Sequence, residues 1–63
     1  ASEVDSTLLS SVLEGVDSVL SSKGLSLHYP KKAQAVTMLY RAFKTGGKVD
    51  PVMIEEAVKL AAG

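Results

Sequence analysis

The chain lacks cysteine altogether, has a single histidine, and contains no continuous apolar run of membrane-spanning length. Without cysteine there is neither a disulfide framework nor a thiolate metal site, and His28 with scattered carboxylates cannot assemble a zinc cluster. No stretch approaches the roughly 18 apolar residues of a membrane span. The opening Ala1, Ser2 and Glu3 carry neither the basic region nor the apolar stretch of a secretory signal, and Ala1 is small enough to follow a removed initiator methionine. These absences predict a soluble, cytoplasmic chain with no bound metal or cofactor and no membrane contact. Excess charge of one sign is also missing: seven basic and seven acidic residues give zero net charge, which argues against non-specific attraction to nucleic acid.

What is present is a sharp segregation of those charges. Residues 1–22 carry Glu3, Asp5, Glu14 and Asp17 without a base, and residues 23–48 carry Lys23, Lys31, Lys32, Arg41, Lys44 and Lys48 without an acid. The tail is mildly acidic. Each block must meet the opposite sign on a neighbouring helix or on a partner. A chain of 63 residues, spanning one domain over 1–63, can bury only about 60% of its unfolded surface. With no disulfide or metal to staple it, oligomerisation is the expected support for a sequence that is 46% apolar, and a homodimer is the expected form.

The hydrophobic pattern predicts an all-α domain of three helices, a long first helix packed against a shorter pair. From Val4, residues Leu8, Leu9, Val12, Leu13, Val16, Val19 and Leu20 fall within an arc of about 140° at 100° per residue. Ser2 or Asp5 can cap this helix, and Lys23 followed by Gly24 suits its C-terminal end. Residues 25–30 have no helical period, and Pro30 favours extended geometry at Tyr29. This segment reads as an extended connector whose Leu25 and Leu27 tuck into the core.

A second helix from Pro30 to about Thr45 gathers Ala35, Val36, Leu39, Tyr40 and Phe43 on one side and Gln34, Thr37, Arg41 and Lys44 on the other. Gly46 and Gly47 end it in a Gly-Gly turn, one of them in the left-handed conformation. Asp50 as N-cap and Pro51 at the first helical position start a third helix that runs to about Ala62. Its expected inner face is Met53, Ile54, Ala57, Val58, Leu60 and Ala61, with Glu55 and Lys59 paired outside.

Function is less legible than shape. Lys31 and Lys32 sit in the first turn of the second helix, where the macrodipole disfavours cations by about 0.3–1 kcal/mol each. Pairing with Glu14 or Asp17 would compensate, as would an acidic partner surface or a phosphate backbone. Met38 at the edge of the apolar arc, with Arg41 and Lys44, makes a mixed apolar and basic patch of the kind that docks on an acidic groove. The expected partner-binding residues are therefore Lys31, Lys32, Gln34, Met38, Arg41, Lys44 and Lys48. On the first helix Ser11, Gly15, Ser18 and Ser22 form a strip of small residues along which another helix can approach closely, giving a candidate oligomer contact.

The run Gly15, Val16, Asp17, Ser18 and Val19 resembles, over these residues alone, the Asp-Ser-Leu site at which acyl carrier proteins receive phosphopantetheine. Valine stands where that family has leucine, and a Ser-rich amphipathic helix is the fuller account. His28 beside Tyr29 lacks the nucleophile, pocket and orienting groups of a catalytic site, and no catalytic residue is expected. The reading that results is a non-enzymatic protein-interaction module, a small regulator or inhibitor of a larger intracellular protein. The alternatives are a DNA- or RNA-binding regulator using the basic second helix and a structural subunit of a larger assembly. The joint at residues 45–50 is longer than the turn of a helix-turn-helix, which makes the nucleic-acid pattern a poor match.

Overall fold

Asp5 starts the first helix in extended geometry, and its carboxylate accepts a 3.0 Å hydrogen bond from the Leu8 N–H. That bond satisfies one of the orphan donors of the first turn. The structure, a computed structural model, describes residues 5–62, so the alternative cap Ser2 lies outside the described residues. These form three helices, α1 (Ser6–Lys23), α2 (Tyr29–Gly46) and α3 (Pro51–Ala62), with no strand among the described residues. Each helix packs against both others.

Helix lengths depart from the expected long helix against a shorter pair: α1 and α2 each have 18 residues and α3 has 12. The difference arises at both ends of α2. Tyr29 is helical rather than extended, because the Lys32 N–H donates to the His28 carbonyl at 2.9 Å and closes a turn around it. Pro30 loses nothing there, since a first-turn N–H has no helical acceptor. At the other end Gly46 is still helical, and Gly47 alone adopts the left-handed conformation, with φ 81°. The expected Gly-Gly turn is thus a single left-handed glycine followed by residues 48–50.

The two glycine stops differ in bonding. After α1, Gly24 at φ 64° donates to the Ser21 carbonyl and Leu25 to the Leu20 carbonyl, the paired bonds of a Schellman motif. After α2, Gly47 donates to the Phe43 carbonyl at 2.7 Å, the bond of the simpler left-handed cap.

The core joins Val12, Val16 and Leu20 of α1 to Val36, Leu39 and Phe43 of α2 and Ile54, Ala57 and Val58 of α3. Leu8, Leu9, Val19, Leu27 and Ala42 pack around its edge. Three expected core residues are displaced. Leu25 is exposed while Leu27 alone turns inward, and on α3 Met53 and Leu60 face outward, Leu60 at 79% exposure. The buried face of α3 centres on Ile54 and Val58, which puts Leu60, two residues beyond Val58, about 160° around the helix from it.

Gly15 explains how closely α1 and α3 cross. A Cβ built on it would sit 2.6 Å from Ile54 Cδ1, inside any normal contact. The glycine that costs up to about 1 kcal/mol against alanine in a helix interior makes room for a side chain of α3 in the same chain.

Candidate protein-interaction surface

The antiparallel run of α1 and α2 brings the acidic and basic blocks alongside each other. Lys32 Nζ lies 2.6 Å from Asp17 Oδ1, with Lys32 only 27% exposed. This contact answers the unfavourable position of a cation in the first turn, and it takes Lys32 away from the outer surface. Lys31, one residue earlier and about 100° around the helix, is exposed and forms no ion pair among the described residues.

Lys31, Gln34, Met38 and Arg41, at spacings of three, four and three, fall within about 80° of one another on the outer side of α2. Ala33, Gln34, Thr37, Met38 and Arg41 line a shallow depression there, and Met38 is 53% exposed, as its place at the edge of the apolar arc predicts. The patch therefore combines a soft apolar side chain, an amide and the Arg41 guanidinium, which forms no ion pair among the described residues.

Lys44 turns elsewhere. Its ammonium donates to the Tyr40 hydroxyl at 3.3 Å and lies 5.5 Å from the ring centre, closer to the hydroxyl end than to the face. The same hydroxyl accepts a 2.7 Å hydrogen bond from the Asp5 N–H, tying the start of α1 to the middle of α2. Tyr40 is half-buried, an anchor rather than a core residue, and no sequence period signals that role. Lys48, past the end of α2, borders a hollow with Asp5, Leu8 and Val49. The seven expected partner-binding residues thus divide. Four share one strip, while Lys32, Lys44 and Lys48 lie apart from it.

The small-residue strip of α1 also divides. Gly15 is turned to Ile54, the Ser11 hydroxyl donates to the Thr7 carbonyl at 3.1 Å, and Ser18 and Ser22 are exposed. His28 is the exposed N-cap of α2 and its side chain makes no capping bond. Among the described residues there is no cluster of three His, Asp or Glu side chains able to hold a metal, and no helix long and apolar enough to cross a membrane.

Two apolar surfaces escaped the sequence reading. One is a groove between α1 and α2 lined by Leu9, Leu13, Tyr29, Lys32, Ala33, Val36 and Thr37, with Tyr29 at 86% exposure. The other is an outward stripe on α3 formed by Val52, Met53 and Leu60 around Glu56. The available signal was the excess of apolar residues over what one helical face can hold. Comparison with protein-family models, curated proteins and solved structures finds no match to this chain.

Proposed function

We propose that this chain is a non-enzymatic interaction module that acts in the cytoplasm as a small regulator or inhibitor, binding an acidic surface of a larger protein through the outer strip of α2. The observation that carries the reading is the combination of a half-exposed Met38 with Arg41 and Lys31, neither of which has an ion-pair partner among the described residues. Methionine adapts its shape to an apolar recess, and arginine offers a planar fork to a carboxylate. Such a patch binds by both area and charge.

The nucleic-acid alternative rests on the same cations and is weakened by the engagement of Lys32 with Asp17 and of Lys44 with the Tyr40 hydroxyl. Those contacts leave fewer lysines for the continuous footprint that phosphate binding requires. The test is capture from lysate with and without nuclease at two salt concentrations, repeated with Met38→Ala and with Arg41→Ala. A protein retained by the parent chain and lost with either variant, in the presence of nuclease, supports the reading. Retention that disappears with nuclease, or that survives both substitutions, overturns it.

A further inference from the structure

All the sulfur of this chain lies outside its core. There is no cysteine, the only sulfur atoms belong to Met38 and Met53, and the core is aliphatic apart from Phe43. Met38 is 53% exposed and Met53 41%. Oxidation of a core methionine to its sulfoxide forces a polar S–O bond into close packing. Here the same reaction changes surfaces and leaves the core intact. The two methionines differ in what surrounds them. Met38 has Gln34 four residues before it and Arg41 three after, spacings that put all three on one face of α2, and they line the same shallow depression. Amide and guanidinium both donate hydrogen bonds. Met53 instead has Asp50 three residues before it and Glu56 three after, carboxylates that only accept, and Lys48 is the cation lining its hollow. An oxygen on Met38 is therefore flanked by donors of its own helix, and an oxygen on Met53 by acceptors.

We propose that Met38 is a reversible sulfoxidation site at which a hydroperoxide switches off the outer strip of α2, an inference that rests on the interaction reading of that strip. The Met38 Sδ lone pair attacks one oxygen of the peroxide, the S–O bond forms and the O–O bond breaks. The proton on the transferred oxygen passes to the departing hydroxide, which leaves as water when the oxidant is hydrogen peroxide. Sulfur gives up an electron pair and the peroxide is reduced. The product is polar where the thioether was apolar, so the side chain no longer suits an apolar recess. Its oxygen accepts a hydrogen bond from the Arg41 guanidinium and turns that fork back onto its own helix. One oxygen atom thus withdraws both halves of the patch, its apolar anchor and its charge. A thiol-dependent methionine sulfoxide reductase restores the thioether, the oxygen leaving as water while two thiols become a disulfide.

The test treats the full chain with hydrogen peroxide and compares two variants: Met53→Leu, in which Met38 is the only sulfur, and Met38→Leu, which keeps an apolar side chain that cannot be oxidised. Mass spectrometry should show one added oxygen on each variant, and circular dichroism should show the helices retained. In Met53→Leu the NMR signal of the Arg41 Nε–H should shift on oxidation, exchange more slowly with water, and return after treatment with reductase and dithiothreitol. In Met38→Leu it should not move. Capture from nuclease-treated lysate gives the second readout. Met53→Leu should lose its retained protein on oxidation and regain it on reduction, while Met38→Leu should hold the protein with or without peroxide. Loss of helix when Met53→Leu is oxidised overturns the proposal. So does an Arg41 signal that ignores the oxidation, or a protein still retained by the sulfoxide. An untreated chain that retains nothing through Met38 and Arg41 overturns the interaction reading and the switching with it, and the Arg41 signal then decides the sulfoxide contact by itself.

Discussion

Helices α2 and α3 begin in opposite ways. At α3 the Asp50 carboxylate accepts the Val52 N–H at 2.9 Å, Pro51 supplies a helical φ, and everything needed lies within three consecutive residues. At α2 the capping position holds His28 with no side-chain bond, and Lys31 and Lys32 follow against the dipole. The compensation comes from Asp17 on another helix. One start is specified locally and the other by tertiary contact. The difference shows why a short chain can carry a poor local signal at one joint when its neighbour in space supplies the missing charge.

The strongest way to break this contrast is at Gly15, where a tertiary neighbour overrides local helix preference. Gly15→Leu should destabilise the fold by about 1–3 kcal/mol, because the added atoms meet Ile54 and the crossing of α1 and α3 must widen. Gly15→Ala should stay within about 1 kcal/mol of the parent, its gain in helix propensity offset by displacement of the mobile Ile54 Cδ1. Urea unfolding followed by circular dichroism measures both. Equal losses from the two substitutions would show that the glycine is needed for its backbone rather than for the space it leaves.

Next in size are the starts themselves. Asp50→Ala should cost about 1 kcal/mol, the usual loss of a capping carboxylate. His28→Asp should instead stabilise by about 0.5–1 kcal/mol, since it adds both a cap and a negative charge where the dipole favours one. A gain at His28 as small as measurement error would mean that the α2 terminus is already satisfied by its tertiary surroundings. Smaller again is the cross-helix pair. Asp17→Asn, Lys32→Gln and the double variant form a cycle whose coupling energy should be about 0.2–1 kcal/mol, falling in high salt because Asp17 is 59% exposed.

The same contrast explains what the sequence makes legible. Helices, caps and stops are written in adjacent residues: Asp5 before α1, Gly24 after it, Asp50 and Pro51 before α3. Which arc of α3 faces inward is not written locally. Its apolar residues extend around more than half the helix, so Met53 and Leu60 fit an inner face as well as Ala57 does, and packing against both α1 and α2, with Ile54 seated on Gly15, selects the arc centred on Ile54 and Val58. The strip of Lys31, Gln34, Met38 and Arg41 was readable from its period. The turning of Lys32 to Asp17, and of Lys44 to a hydroxyl that also holds the Asp5 N–H, depends on atoms from distant parts of the chain.

Glu55 offers the finest test, because it combines a local and a tertiary contact in one side chain. Its Oε1 lies 3.3 Å from Lys59 Nζ, the pair expected four residues along α3, and 3.3 Å from Lys23 Nζ at the end of α1. Hydrogen bonding to Lys23, then to Lys59, holds its carboxyl below the ordinary carboxylate range, with the charges of both lysines adding to the effect. A group whose pKa is lowered by folding contributes stability at pH values above its unfolded pKa of about 4.3, and that contribution disappears as pH falls through the folded value. Thermal unfolding of the parent chain should therefore weaken on acidification in a step that Glu55→Gln removes. Lys59→Gln should shrink the step less than Lys23→Gln does, since Lys23 is the larger influence and the one that joins two helices. If the order reverses, the local pair governs this carboxylate, and α3 meets the end of α1 through its apolar face alone.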